Sequence, residues 1–190
     1  MKNKKQLILV IAAHLDDEIA CAGTLMKMRD SGFEINELVL TGGGEGGNVA
    51  GRENEMKKAG ELLGIKDMFF FEQEDLGLTY SKELMMRVVA VVREVKPEVV
   101  ILMHKEDFHP DHRAAFTIGI EAVKFAATGV RVELGEKHRT KVVMMMGGMW
   151  PIRPHLMVDV TKYKDKKMQM FALHESQVNQ KAVNFELAMM

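Results

Sequence analysis

From Leu7 to Ala13 the chain is continuously apolar and rich in Ile and Val, the pattern of a strand covered on both faces. From Asp16 to Arg29, Ile19, Leu25 and Met26 recur at helical spacing, and Ser31-Gly32 marks the stop. Glu37 to Thr41 reads as a second strand. It runs into Gly42-Gly43-Gly44-Glu45-Gly46-Gly47-Asn48, a loop with access to backbone shapes closed to other residues. Arg52 to Leu63 is helical and ends at Gly64, and Asp67 to Phe71 is a third strand. Ser81 to Lys96 carries the strongest stripe, Leu84, Val88, Val91, Val92 and Val95, with Ser81 as cap and Pro97 just past the end. Val99 to Met103 is the fourth strand and His112 to Ala127 the next helix. After Gly129 the pattern weakens. Short strands are predicted at Val130 to Leu134, Lys141 to Met146 and Leu156 to Val160, and a closing helix at Thr161 to His174.

Strands and helices alternate through most of the chain, which implies parallel pairing through right-handed crossovers. The predicted class is α/β, an open, mostly parallel sheet with helices on both faces, forming one domain over residues 1–190. Ligands of such sheets bind beyond the carboxyl ends of the strands. A chain of 190 residues can bury about 70% of its unfolded surface.

Composition narrows the partners. With 26 basic and 27 acidic residues and a net charge of −1, no field favours nucleic acid or an anionic membrane. One cysteine makes no internal disulfide, and Cys21 reads as a small buried residue. The basic start followed by Leu7 to Ala13 imitates a secretory signal, but the apolar run ends in His14 and acids instead of a cleavage site. It is too short to span a bilayer, and a cytoplasmic location is expected.

The chemistry sits at two strand ends. Ala13-His14-Leu15-Asp16-Asp17-Glu18 follows the first strand, and His109-Pro110-Asp111-His112 comes shortly after the fourth. A catalytic zinc site commonly takes three ligands from His, Asp or Glu and keeps a position for water. His14, Asp17 and His112 can supply them, leaving Asp16 beside the metal to accept a proton from activated water. His109, if protonated, can face the oxyanion formed when water attacks a carbonyl, with Asp111 holding its other nitrogen.

These motifs carry a resemblance. Ala13 to Glu18 is similar to the Ala-His-Pro-Asp-Asp-Glu signature of the PIG-L/LmbE-like family of zinc-dependent N-acetylglucosaminyl deacetylases, and His109-Pro110-Asp111-His112 resembles its second signature. Further matches are Gly42-Gly43, Arg52-x-x-Glu55, Leu63-Gly64, Asp75, Val158-Asp159-Val160-Thr161, and Lys167 through His174-x-Ser176-Gln177. The resemblance implies a Rossmann-like fold, one zinc on His14, Asp17 and His112, and Asp16 as general base. It also implies His109 at the oxyanion, Arg52 and Asp75 against the sugar, and a small N-acetylated amino sugar as substrate. Relatives are often oligomeric, so a homo-oligomer is implied as well. Leu15 stands where the signature has proline, and Asp107-Phe108 precede the second signature where some relatives have tyrosine.

Two other readings share part of the pattern. His14-Leu15-Asp16 with a distant His is the spacing of a non-haem iron triad, which would make Asp16 the ligand. Such enzymes are usually antiparallel double-sheet barrels. Gly42-x-Gly44-x-x-Gly47 between a strand and a helix resembles a dinucleotide loop, although that fingerprint normally opens the fold. Trp150 and His155 are candidates to line a sugar pocket, and His174 reads as structural.

Overall fold

The computed structural model describes residues 5–147 and 152–188; Trp150 lies outside them. Strands β1 (Gln6–Ala12), β2 (Phe33–Thr41), β3 (Ile65–Gln73), β4 (Val99–Leu102) and β5 (Val142–Met145) form one sheet in the order β3-β2-β1-β4-β5. Every neighbouring pair is parallel. The helices are α1 (Ala22–Asp30), α2 (Val49–Leu63), α3 (Lys82–Val95), α4 (Pro110–Ala126), α5 (Lys164–Ala172) and α6 (Gln180–Ala188).

The unbroken apolar run of β1 has a direct cause. Successive side chains of a strand face opposite sides, and both sides of β1 are covered. A Cβ on Gly119 of α4 would lie 3.6 Å from Ile11, whereas the next residue, Ala12, packs in a cluster with Met56 of α2. Ile8 to Ala13 are fully buried. Ser81 caps α3 as expected, accepting from the Leu84 N–H, whereas α2 starts at Val49, ahead of the expected Arg52, because Asn48 accepts from the Gly51 N–H.

The chain order reverses at β1, with β2 on one side and β4 on the other. The carboxyl ends of β1 and β4 therefore flank a topological switch point, where a crevice opens in such sheets. A parallel sheet is also not the scaffold of the iron-triad reading, and the glycine loop follows β2, not the first strand.

Four expectations fail. Residues Val130 to Leu134 are not a strand; Val132–Leu134 is a 3-10 turn, entered through Arg131 at φ 54°. The cause is Arg93, 1% exposed, whose guanidinium donates to the carbonyls of Phe125, Ala126, Thr128, Val130 and Arg131. These carbonyls curl around one cation and are lost to any sheet. Leu156 to Val160 also lies outside the sheet; Leu156 and Met157 are exposed, and Val160 packs instead against Gly23. The helix expected from Asp16 begins as a 3-10 turn, Asp17–Cys21, before α1, because the Asp17 carboxylate accepts the Ala13 and His14 N–H groups and pins the turn back on β1. The predicted Thr161 to His174 helix likewise splits into a 3-10 turn, Thr161–Tyr163, and α5.

Arg93→Met should lower stability by about 3 kcal/mol, since hydrogen bonds to charged groups are individually strong and five carbonyls lose their shared donor. A urea titration with a reduced midpoint and an unchanged slope checks this; an unchanged midpoint contradicts it.

Candidate active site

His14 follows β1 directly, and His112 sits in the first turn of α4, after the loop leaving β4. Because β1 and β4 are hydrogen-bonded neighbours, two residues 98 positions apart meet: His14 Nδ1 lies 3.2 Å from His112 Nε2. Asp17 closes the triangle. Its Oδ1 is 3.1 Å from His112 Nε2 and its Oδ2 is 3.7 Å from His14 Nδ1. Donor atoms of a tetrahedral zinc with bonds near 2.0–2.1 Å stand about 3.3 Å apart; the two imidazole nitrogens match that spacing, while Asp17 approaches them through different oxygens. The imidazoles are oriented from behind. His112 Nδ1 faces Asp107 Oδ2 at 3.1 Å, while His14 Nε2 faces Asp75 Oδ1 and Asp111 Oδ2, each at 3.2 Å. Among the described residues, the groupings whose donor atoms lie close enough together to hold a metal are His14 with His109 and His112, and His14 with Asp75 and Asp111; Asp17 belongs to neither.

The electrostatics separate two adjacent carboxylates. Burial works against the Asp17 charge, but the His112 and His14 imidazoles outweigh it and hold the carboxyl well below its usual range. Burial and the neighbouring Asp17 charge push Asp16 up, only partly opposed by Arg52, His174 and His14. For His14, burial disfavours the charged form, but the Asp17 hydrogen bond and the charges of Asp17, Asp75 and Asp16 raise it to about 9.

Several expected roles change. Asp111 does not hold the His109 imidazole with its side chain. Pro110 begins α4 with His109 as its cap, which turns the Asp111 carboxylate toward the loop after β3, where it accepts the Leu76 and Leu78 N–H groups and meets His14. Only the Asp111 backbone N–H reaches His109, at Nδ1. Nor is His109 held as a cation: burial and the charges of His14 and His112 lower it. With Nδ1 accepting, the network assigns its proton to Nε2. Arg52 is buried, and its guanidinium donates to Gly43 O at 2.7 Å and to Asp16 Oδ1 at 3.1 Å. Asp75 accepts from the Glu45 N–H and faces His14. Both residues expected against a sugar thus also brace the site itself. His155 is exposed.

Three groups of supporting residues were given no role at the site by the sequence. Asp107 stands outside the histidine motif. Glu18 and His174 form a buried pair at 2.9 Å. Glu37, fully buried in β2, has no hydrogen-bond partner for either carboxylate oxygen among the described residues, and burial with the nearby Glu18 and Asp17 charges pushes it well up. Only its place in a strand otherwise fit for burial could have marked it.

A parallel α/β sheet whose switch point gathers imidazoles and carboxylates defines the class: an α/β protein with a metal-compatible site at its strand ends. Residues 9–123, which contain both clusters, match the family described as PIG-L: GlcNAc-PI de-N-acetylase, and the chain belongs to that family. Diacetylchitobiose deacetylase of Thermococcus kodakarensis is 32% identical over 190 residues, spanning 92% of this chain and 71% of that protein. A Bacillus anthracis protein named probable N-acetyl-alpha-D-glucosaminyl L-malate deacetylase 2 is 29% identical over 198 residues, spanning 93% and 83%. The crystal structure of a conserved protein from Thermus thermophilus, TT1542, superposes with a TM-score of 0.87 at 29% identity, covering 98% of this chain and 86% of the other.

The His14 shift predicts a pH dependence in chelator-treated protein. A histidine raised from 6.5 to about 9 contributes stability that is complete below pH 6.5 and is lost as pH rises through about 9. The depressed Asp17 contributes above its ordinary range and is lost only in acid. The urea midpoint should therefore fall between pH 6.5 and 9. Stabilisation by added divalent metal, which requires deprotonated imidazole, should grow over the same window. A flat midpoint and metal stabilisation independent of pH contradict the assignment.

Proposed function

We propose that the chain is an N-deacetylase that hydrolyses the acetamide of an N-acetylglucosamine-type conjugate, with one zinc held by His14, Asp17 and His112. The observation that carries this reading is the triangle of His14 Nδ1, His112 Nε2 and the Asp17 carboxylate, with a second carboxylate of opposite pKa behaviour at the next position. Two carboxylates pushed apart by their surroundings divide the labour of ligand and base. The names of the relatives supply the acetylated amino sugar.

A zinc ion here supplies Lewis acidity toward the acetamide carbonyl and acidifies water. The chain's own groups do the rest. Asp16, fixed at Oδ1 by Arg52, takes a proton at Oδ2 from the attacking water as the new C–O bond forms. The Nε2–H of His109 faces the developing oxyanion. The proton passes from Asp16 to nitrogen as the C–N bond breaks, giving acetate and the free amine. Phe108, 48% exposed, has its ring 6.0 Å from that of His109. With Leu76, exposed at φ 58°, it offers apolar surface to the C–H face of a pyranose.

Amine release from N-acetylglucosamine and its anomeric conjugates tests the proposal. Asp16→Asn should lose about 100-fold or more in kcat while keeping its metal, and His109→Ala about 100-fold. Chelation should abolish turnover and zinc restore it. Equal rates in wild type, Asp16→Asn and chelated samples would refute the reading.

A further inference from the structure

Asp16 is separated by the whole length of the fold from residues 174–177, yet three side chains of that short stretch reach the parts that hold it. His174 Nε2 contacts Glu18 Oε1 at 2.9 Å, and both residues are buried; Glu18 lies in the 3-10 turn that follows Asp16. Ser176 grips Glu55 of α2 with two hydrogen bonds, from its N–H at 3.0 Å and from its hydroxyl at 2.7 Å. Gln177 Nε2 donates to Gly46 O at 2.9 Å. Glu55 is three residues beyond Arg52 and shares its helix face.

The glycine loop needs such an anchor. Gly43 at φ 65° and Gly47 at φ 136° occupy backbone conformations that L side chains rarely adopt, and the loop has only a 3-10 turn, Gly44–Gly46, of its own. It is tied to Arg52 at Gly43 O. A Cβ on Gly46 would collide with the same guanidinium and lie 3.5 Å from Gln177 Nε2, so loop, Arg52 and Gln177 are in close packing. The other arm of Arg52 holds Asp16 Oδ1.

We propose that His174, Ser176 and Gln177 form a clasp that positions the Asp16 carboxylate, acting through Glu18 on its turn and through Glu55, the glycine loop and Arg52 on its side chain. These are positioning residues; none of their described contacts is to the candidate ligands. The clasp rests on the deacetylase reading for its consequence, but its mechanical part does not. The family description matches residues 9–123, and the clasp, to which the sequence resemblance extends, reaches back into that segment from beyond it.

The test uses Gln177→Ala and Ser176→Ala in the full zinc-loaded chain, with Ser176→Thr to restore the hydroxyl. Two readouts are taken: hydrogen exchange of the amides in 42–48, and kcat and KM for amine release. Faster exchange in 42–48, a kcat lowered about tenfold, KM and zinc content within twofold, and recovery in Ser176→Thr support the clasp. Exchange unchanged, or exchange faster with kcat intact, overturns it. If the wild type releases no amine, the deacetylase reading falls, and the exchange measurement alone decides whether residues 174–177 hold the loop.

Discussion

The hydrogen-bonded pairing of β1 with β4 is the constraint on which the site depends. It places Ile11 beside Leu102, so the residues that leave the two strands enter the same crevice. Without it, His14 and His112 would belong to separate loops. The strand order reverses at this pair, so no crossover helix closes the crevice above it. The buried apolar face of β1 thereby does two things: it fixes the register of the core and sets the separation of two imidazole nitrogens.

Gathering carboxylates at one sheet edge is costly unless their charges are compensated. The compensation is local and specific. Asp17 faces both imidazoles and accepts two backbone N–H groups. Asp111 accepts two more from the loop after β3, Asp16 has Arg52, and Glu18 has His174. Each partner also limits where its carboxylate can go, so the electrostatic solution and the geometric one are the same set of contacts. The left-handed Leu76, a strained conformation for leucine, is held by N–H bonds to Asp75 and Asp111, within this network.

Much of this is legible in the sequence where the signal is local. The apolar runs of β1 and β4, the stripe of α3 and its Ser81 cap announce a parallel sheet with covered faces, and two His/Asp clusters at strand ends announce a metal-compatible rim. What is not legible depends on distant partners. The strand expected at Val130 to Leu134 is lost to Arg93, a buried cation whose five carbonyl partners no periodicity encodes. Adjacency pairs Asp111 with His109, but the loop after β3 claims its carboxylate. Asp107, Glu18 and His174 have meaning only once the sheet is assembled, and α6 lacks the apolar stripe that would have marked it.

The central claim is that one ion is shared by His14, Asp17 and His112. Anomalous diffraction from crystals of the zinc-loaded protein tests it most directly. The account predicts a single peak in the switch-point crevice, within bonding distance of His14 Nδ1, His112 Nε2 and an Asp17 oxygen, with Asp16 unbound beside it. A peak on His14 Nε2 with Asp75 and Asp111, or none in the crevice, would contradict it.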